Sequence, residues 1–288
     1  MDITSLLGGF IYMTKTGKRT GHLKRILLTA GIGMLLMLLL AVPALAASKK
    51  TKNKWKLKSN DYYYYYNSKG EKAKGLTKIG KKYYYFDERG HQLVGWRKIK
   101  GKYYRFGMTP GKKGYMLKNQ MVDRLRLDRK GRADVSAPMS KRLAKVLVNY
   151  TLWADKITKP TWDGAKKLKA IAKEIYRFTY KGEDWDNFSD GWDIIMAEDC
   201  YARYVSRYFH YECDRYAVAF AYLCKAAGLR QVEIHVGGSL HAWVKVSGKA
   251  YDPNRYAARS YKGKLEISEE DFATNSFYQD NLTVRLYS

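Results

Sequence analysis

The chain has 288 residues, 46% of them hydrophobic, with 54 Lys and Arg against 27 Asp and Glu, a formal charge of +27. That apolar content excludes disorder throughout, and the length allows one or two domains. The charge favours polyanionic partners such as nucleic acid, anionic lipid or an acidic wall polymer, without choosing among them.

At the N-terminus, "KRTGHLKR" (Lys18 to Arg25) precedes an apolar run from Ile26 to Val42 and then "PALAAS". A basic region, an apolar region and small residues at Ala44 and Ala46 have the layout of a secretory signal peptide over 1–46, with cleavage expected after Ala46. The alternative is a retained signal anchor, because the run approaches the roughly 20 apolar residues that span a bilayer. Only then is a membrane expected as a partner. Either way the remainder is expected outside the cytoplasm, which argues against nucleic acid as a partner. The lysine-dense segment that follows, "SKKTKNKWKLKSND" (Ser48 to Asp61), has almost nothing to bury, so 47–61 reads as a solvated basic linker.

Residues 62–134 carry an internal repeat. "YYYYNSKGEKAKG" (Tyr63 to Gly75) aligns with "YYYFDERGHQLVG" (Tyr83 to Gly95) at a spacing of 20, matching Gly70 with Gly90 and Gly75 with Gly95. "YYRF" (Tyr103 to Phe106) keeps the register until "GMTPGKKG" interrupts it, and "LRLDRKG" (Leu125 to Gly131) is a weaker echo. Aromatic clusters and glycine turns at this period predict a solenoid of short β-hairpins, each unit burying its aromatics against its neighbours.

The segment "GLTKIGKKYYYFDERGHQLVGW" resembles the cell-wall-binding repeats of choline-binding and glucan-binding surface proteins of Gram-positive bacteria. The resemblance covers about Tyr62 to Val122. Trp96 takes the position of the repeat tryptophan, and Leu76 holds it in the preceding unit. In those repeats tryptophans stack around choline through cation–π contacts, so the resemblance implies ligand-binding aromatics, here Tyr84, Tyr85, Trp96 and Tyr104. The bland alternative is that the tyrosines only build the solenoid core. The interleaved lysines point to the bacterial cell wall, an anionic polymer or glycan, as the partner of the repeats.

From residue 135 to 288 the pattern changes. "SKRLAKVLVNYTLWADKI" and "WDGAKKLKAIAKEIYRFTYKG" place apolar residues at helical spacing and predict two packing helices, the second ending near Gly182. "EDWDNFSDGWDIIMAEDCYARYVSRY" (Glu183 to Tyr208) reads as a loop plus a short helix. In "FHYECDRYAVAFAYLCKAAGLR", Ala217, Phe220, Ala221, Cys224 and Gly228 fall at helical intervals, which predicts a helix from about Glu212 to Ala227 with Gly228 as its stop. Cys213 then lies in the first turn, where free N–H groups and the helix dipole favour a thiolate.

Two alternating segments, "QVEIHVGG" and "HAWVKVSG", predict strands, and "KAYDPN" starts a third. With Ala242, Val244 and Val246 facing the core, His241 is expected to point into open space beside the strand. The turn at "SGK" would bring Asp252 alongside it. A thiol at a helix N-terminus, an imidazole and a carboxylate are the parts of nucleophilic acyl transfer. His241 would take the Cys213 proton, Asp252 would orient the ring, and the sulfur would attack an amide carbonyl. The Cys213 backbone N–H would serve as one oxyanion donor.

"CDRYAVAF", "HAW" and "YDPN" together resemble the transglutaminase-like superfamily, related in fold to papain, over about Lys166 to Asn254. The resemblance implies an α+β, papain-like core in which Cys213, His241 and Asp252 are catalytic. Where many members have Gly-Val before the cysteine, this chain has Tyr211 and Glu212.

Other roles for the thiols weigh less. Cys213 and Cys224 sit 11 residues apart on one helix, about 16 Å and beyond disulfide reach, although Cys200 could pair with either. No C-x-x-C or other ligand spacing predicts a metal, and no cofactor is expected. His210 and His235 read as surface or loop residues. The sequence therefore predicts an exported, cell-surface, wall-associated cysteine enzyme (peptidase, deamidase or transglutaminase) acting on a protein or peptide substrate. The alternative is a non-catalytic adhesin or wall-binding scaffold.

Overall fold

The computed structural model describes residues 51–177, 179–180, 192–207, 210–237, 241–257, 264–274, 278 and 280–286; the expected signal peptide, 1–46, lies outside them. The first part of the described chain is a succession of antiparallel hairpins. β1 (Lys54–Leu57) pairs with β2 (Tyr63–Tyr66), and β3 (Gly75–Ile79) with β4 (Lys82–Phe86), which also pairs with β5 (Gln92–Leu93). β6 (Gly95–Ile99) pairs with β7 (Lys102–Phe106), and β8 (Met121–Val122) with β9 (Leu125–Arg126).

One turn recurs along this array and explains the sequence period. Asn67 Oδ1 accepts the backbone N–H groups of Lys69 and Glu71. Asp87 Oδ1 does the same for Arg89 and His91, and Asp128 Oδ1 for Lys130 and Arg132. Each turn closes on a glycine with positive φ, at Gly70, Gly90 and Gly131, a conformation that costs glycine little. "LRLDRKG" is thus a structural repeat as well as a sequence echo. The interrupting "GMTPGKKG" is clasped by Gln92, whose side-chain amide both donates to Gly111 O (2.9 Å) and accepts from Gly111 N.

The array starts earlier than the sequence pattern indicates. Lys54–Leu57, expected in a solvated linker, is a strand, because Trp55 alone gives it something to bury. The Trp55 ring meets Tyr65, Tyr84 and Phe86 at 5.4, 4.9 and 5.8 Å, while the lysines on either side face solvent.

The second part is helical and then strand-rich. α1 (Pro138–Ile157) is followed by α2 (Gly164–Ile175), whose N-cap Asp163 accepts the Lys166 N–H. α2 ends at Ile175, not near Gly182; Thr179–Tyr180 is instead β10, paired in parallel with β11 (His210–Tyr211). Of the loop plus short helix expected over Glu183 to Tyr208, the helix is longer than expected, 15 residues as α3 (Trp192–Ser206), burying Trp192, Ile194, Met196, Ala197 and Cys200, and the loop part, 183–191, lies outside the described residues.

α4 (Cys213–Ala226) is the central element. It is apolar nearly all round and buried accordingly. It ends in a Schellman motif, with Gly228 N–H donating to Lys225 O (3.0 Å) and Leu229 N–H to Cys224 O (2.9 Å). α4 lies against an antiparallel sheet ordered β14-β13-β12-β15, made by β12 (Val232–Gly237), β13 (Ala242–Val246), β14 (Lys249–Tyr251) and β15 (Asp280–Arg285). Ser247 and Gly248, both at positive φ, turn β13 into β14. Two short helices, α5 (Pro253–Ala257) and α6 (Glu269–Thr274), complete the described chain. The architecture is a mixed one compatible with α+β. Among the described residues no helix is long and apolar enough to cross a membrane.

The boundary drawn at 134/135 does not divide the hydrophobic core. One cluster runs from Trp96, Leu125 and Leu127 of the hairpins through α1 and α4 to Val244 of the sheet. At the seam, a Cβ on Gly95 would lie 2.8 Å from Thr151 Cγ2 of α1. Gly75, its counterpart one repeat earlier, has nothing within 4 Å. The same sequence position, the first residue of a strand in each repeat, is thus open in one and a docking point in the next.

Candidate active site

The thiol, imidazole and carboxylate separated along the sequence are gathered at one end of α4. Cys213 is the first residue of that helix, preceded by Glu212 in extended backbone, whose carbonyl accepts the Tyr216 N–H. Glu212 is neutralised locally, because Arg215 Nη1 lies 2.8 Å from its Oε2. Cys213 is 9% exposed, whereas Cys200 and Cys224 are fully buried. All three are reduced thiols, so the pairing left open for Cys200 is absent. Burial pushes the Cys200 and Cys224 thiols well up, which makes both poor nucleophiles at neutral pH.

His241 immediately precedes β13, and Asp252 immediately follows its neighbour β14, so strand pairing sets them side by side. The imidazole Nε2 is 2.7 Å from Asp252 Oδ2. The Cys213 thiol is also within hydrogen-bonding reach of the ring. Burial would push the imidazole down. The hydrogen bonds to Asp252 and Cys213, with their negative charge, outweigh it and raise the imidazole to about 9. His241 is therefore an imidazolium at neutral pH, a cation beside the Cys213 sulfur.

Asp252 is held from three sides. Its Oδ1 accepts the Arg255 backbone N–H at 2.9 Å, so it caps α5, with Pro253 at the first helical position. Its Oδ2 also accepts the Tyr278 hydroxyl at 3.0 Å, and Arg255 Nη1 donates to that hydroxyl at 2.7 Å. The "DP" pair is thus a helix start that fixes the carboxylate next to the ring. Arg255 and Tyr278 carried no signal in the sequence. Tyr278 belongs to no motif and reaches Asp252 from 26 positions away.

The expected open space beside β13 is filled. Trp243 is fully buried with Ile267 and Tyr278, beneath Phe272 and Ala250, in a second small core on that face of the sheet. This leaves the His241 side chain only 13% exposed. His235, read as a surface or loop residue, is a buried member of β12. It stacks on Trp243 at 5.5 Å and contacts Glu233 at 3.0 Å.

The four repeat aromatics separate into two pairs. Trp96 is 2% exposed within the main core, and its Nε1 donates to Asp123 Oδ2 at 2.7 Å. Tyr84 is 4% exposed and donates to Lys112 O at 2.9 Å. Neither offers a ring face to a ligand. Tyr85, stacked 5.8 Å from Phe106, and Tyr104 are half-buried.

No family profile and no curated protein match the sequence. The chain is similar to several solved structures. One is choline binding protein F from Streptococcus pneumoniae, determined with a peptidoglycan analogue, at 25% identity over 28% of this chain and 26% of that one, with a TM-score of 0.25. Another is a choline binding domain from Streptococcus pneumoniae, at 26% identity over 30% of this chain and 98% of that one, TM-score 0.26. A third is the modular Cpl-1 endolysin with a peptidoglycan analogue, at 24% identity over 31% and 26%, TM-score 0.23. The chain spans about a quarter of choline binding protein F and of the endolysin. In each case the similarity is confined to under a third of this chain.

Proposed function

We propose that residues 135–288 form a cysteine-dependent acyl-transferase or amide hydrolase with a papain-like, transglutaminase-type core, carried to the bacterial cell wall by the repeats. The observation that supports this most is His241 lying between the Asp252 carboxylate and the Cys213 sulfur at the start of a buried helix. The Cys213 thiolate attacks an amide carbonyl carbon, forming the C–S bond. The developing oxyanion is met by the N-terminal end of α4. The His241 imidazolium gives its proton to the departing amine as the C–N bond breaks. Water or a second amine then attacks the thioester carbonyl, His241 accepts its proton, and the C–S bond breaks to release the Cys213 thiolate, restoring the starting thiolate and imidazolium. Asp252 holds the ring orientation throughout.

The test is alkylation of the full chain by iodoacetamide near neutral pH, with each cysteine mapped. Burial alone predicts that Cys213 labels ahead of Cys200 and Cys224, so the deciding comparison is with His241→Ala. The proposal expects Cys213 labelling to slow markedly in that variant; an unchanged rate overturns it.

The second reading is a non-catalytic wall-binding scaffold, supported by the hairpin array. It is also the role toward which the names of the matched structures lean, whereas none of those names speaks of thiol chemistry. Sedimentation with purified cell walls, with and without Tyr62 to Val122, tests the shared claim that the repeats anchor the protein.

A further inference from the structure

We infer that the repeat array takes a linear polyanion, and that the four tyrosine rings its own lysines cover are closed to quaternary ammonium ligands and to neutral sugars. The inference deepens the wall-anchoring reading above by assigning the ligand class. It rests on what covers the tyrosines. Lys82 Nζ lies 3.5 Å from the Tyr115 ring centroid and Lys118 Nζ 4.8 Å from that of Tyr83. Lys72 Nζ stands 4.6 Å from Tyr64, and Lys98 Nζ 5.5 Å from Tyr103. All four are within cation–π range. A choline headgroup would have to evict an ammonium that the chain itself supplies, and a sugar ring would find the same faces occupied. The tryptophan at the ligand-stacking position, Trp96, is buried and bonded to Asp123.

The same contacts make the lysines good anion receptors. The four side chains are exposed, so one side of each ammonium rests on a ring while the rest of it faces solvent. Fixing a lysine side chain costs rotamer entropy. Resting on a ring meets part of that cost before any ligand arrives, which is preorganisation. Lys82 and Lys118 are laced reciprocally, since the strand bearing Lys82 and Tyr83 is joined to the segment bearing Tyr115 and Lys118 by the Met116 N–H to Tyr83 O bond of 2.7 Å. Residues 51–134 hold 24 Lys and Arg against seven Asp and Glu. Successive hairpins each present ammonium groups, so the charges repeat along the array, as those of a linear polymer do.

The experiment measures binding of the full chain to linear inorganic polyphosphate as a function of salt. The variants are Lys82→Gln with Lys118→Gln and, as an equal-charge control, Lys169→Gln with Lys173→Gln on α2. The expected result is a steep salt dependence that choline chloride does not alter beyond its ionic strength. Its log–log slope should fall by about two, one per lysine, in the repeat variant and stay unchanged in the control. Equal slopes for the two variants, elution from a choline resin by free choline, or equally lysine-dependent binding to phosphatidylglycerol vesicles would each overturn the inference. Failure to sediment with walls while polyphosphate binding survives would instead count against the anchoring reading.

Discussion

Two buried aspartates set the two halves of this molecule apart. Asp123, at the seam between hairpins and helices, is surrounded by groups whose charge or hydrogen is fully committed. Lys225 Nζ is 2.7 Å from its Oδ1, while Arg105 Nε (3.1 Å) and Trp96 Nε1 (2.7 Å) reach its Oδ2. Burial would raise its carboxyl, but Arg105 and Lys225 more than reverse this and hold it below the ordinary range. Asp252 is as deeply buried, yet one of its partners is an imidazole that is also within hydrogen-bonding reach of a thiol. A carboxylate whose partners end in structure contributes stability, whereas one whose partner leads onward transmits its charge to a reactive atom. Burial and pairing alone therefore do not separate a structural aspartate from the one proposed to orient a catalytic imidazole. The far side of the partner does.

The largest expected effect breaks the structural side of this contrast. Asp123→Ala leaves Arg105 and Lys225 buried without an anion and is expected to destabilise the fold by about 3–5 kcal/mol, measured from denaturant midpoints. Asp252→Ala should cost less, about 1–3 kcal/mol, because His241 can shed its proton where an arginine cannot. It should slow Cys213 alkylation, which Asp123→Ala should not do under conditions where that variant is folded. The reverse assignment of the two effects would remove the distinction.

A smaller effect is in the pH dependence of stability. The His241 imidazole titrates near 9 in the fold against 6.5 ordinarily, so the folded state binds a proton that the unfolded chain has already released in that interval. Its contribution is complete below about 6.5 and is lost as the pH rises through about 9. Thermal midpoints recorded across this range should fall more in the parent protein than in His241→Gln; parallel curves would show that the imidazole is not held as described.

The smallest expected effect is that of Tyr278→Phe. It removes one of two hydrogen bonds to Asp252 Oδ2 and should cost about 1 kcal/mol in stability. It should also shift the pH profile of Cys213 alkylation, a change that a packing role alone would not produce. Arg255→Lys should move that profile in the same direction.

Much of the fold was legible because it follows from local rules. The hairpin period was written in the glycines at 70, 90 and 131 and in the aromatic clusters before the first two. The central helix was written in the spacing of Ala217, Phe220 and Cys224 and in the stop at Gly228. What was missed depended on single residues or on distant partners. A lysine-rich segment became a strand because Trp55 found Tyr84 and Phe86. A helix expected to be short runs 15 residues as α3, which packs on α1 and α4. β15 was invisible until β12 offered it an edge. The order of Cys213, His241 and Asp252 was readable as a motif, but Tyr278 and Arg255 were not, since side-chain hydrogen bonds across 23 and 26 positions leave no periodic trace.

By itself, the sequence determined the repeat period, the turn chemistry, the position of a thiol at the head of a helix and the chain order of the three polar groups. These depend on backbone geometry within a few residues. The tertiary structure decided which aromatic rings would be buried or covered by lysines, that the hairpins and the helices would share one core, and which of two buried aspartates would face a histidine. Those outcomes depend on what each side chain meets when distant segments pack and water is excluded, and no local pattern encodes that.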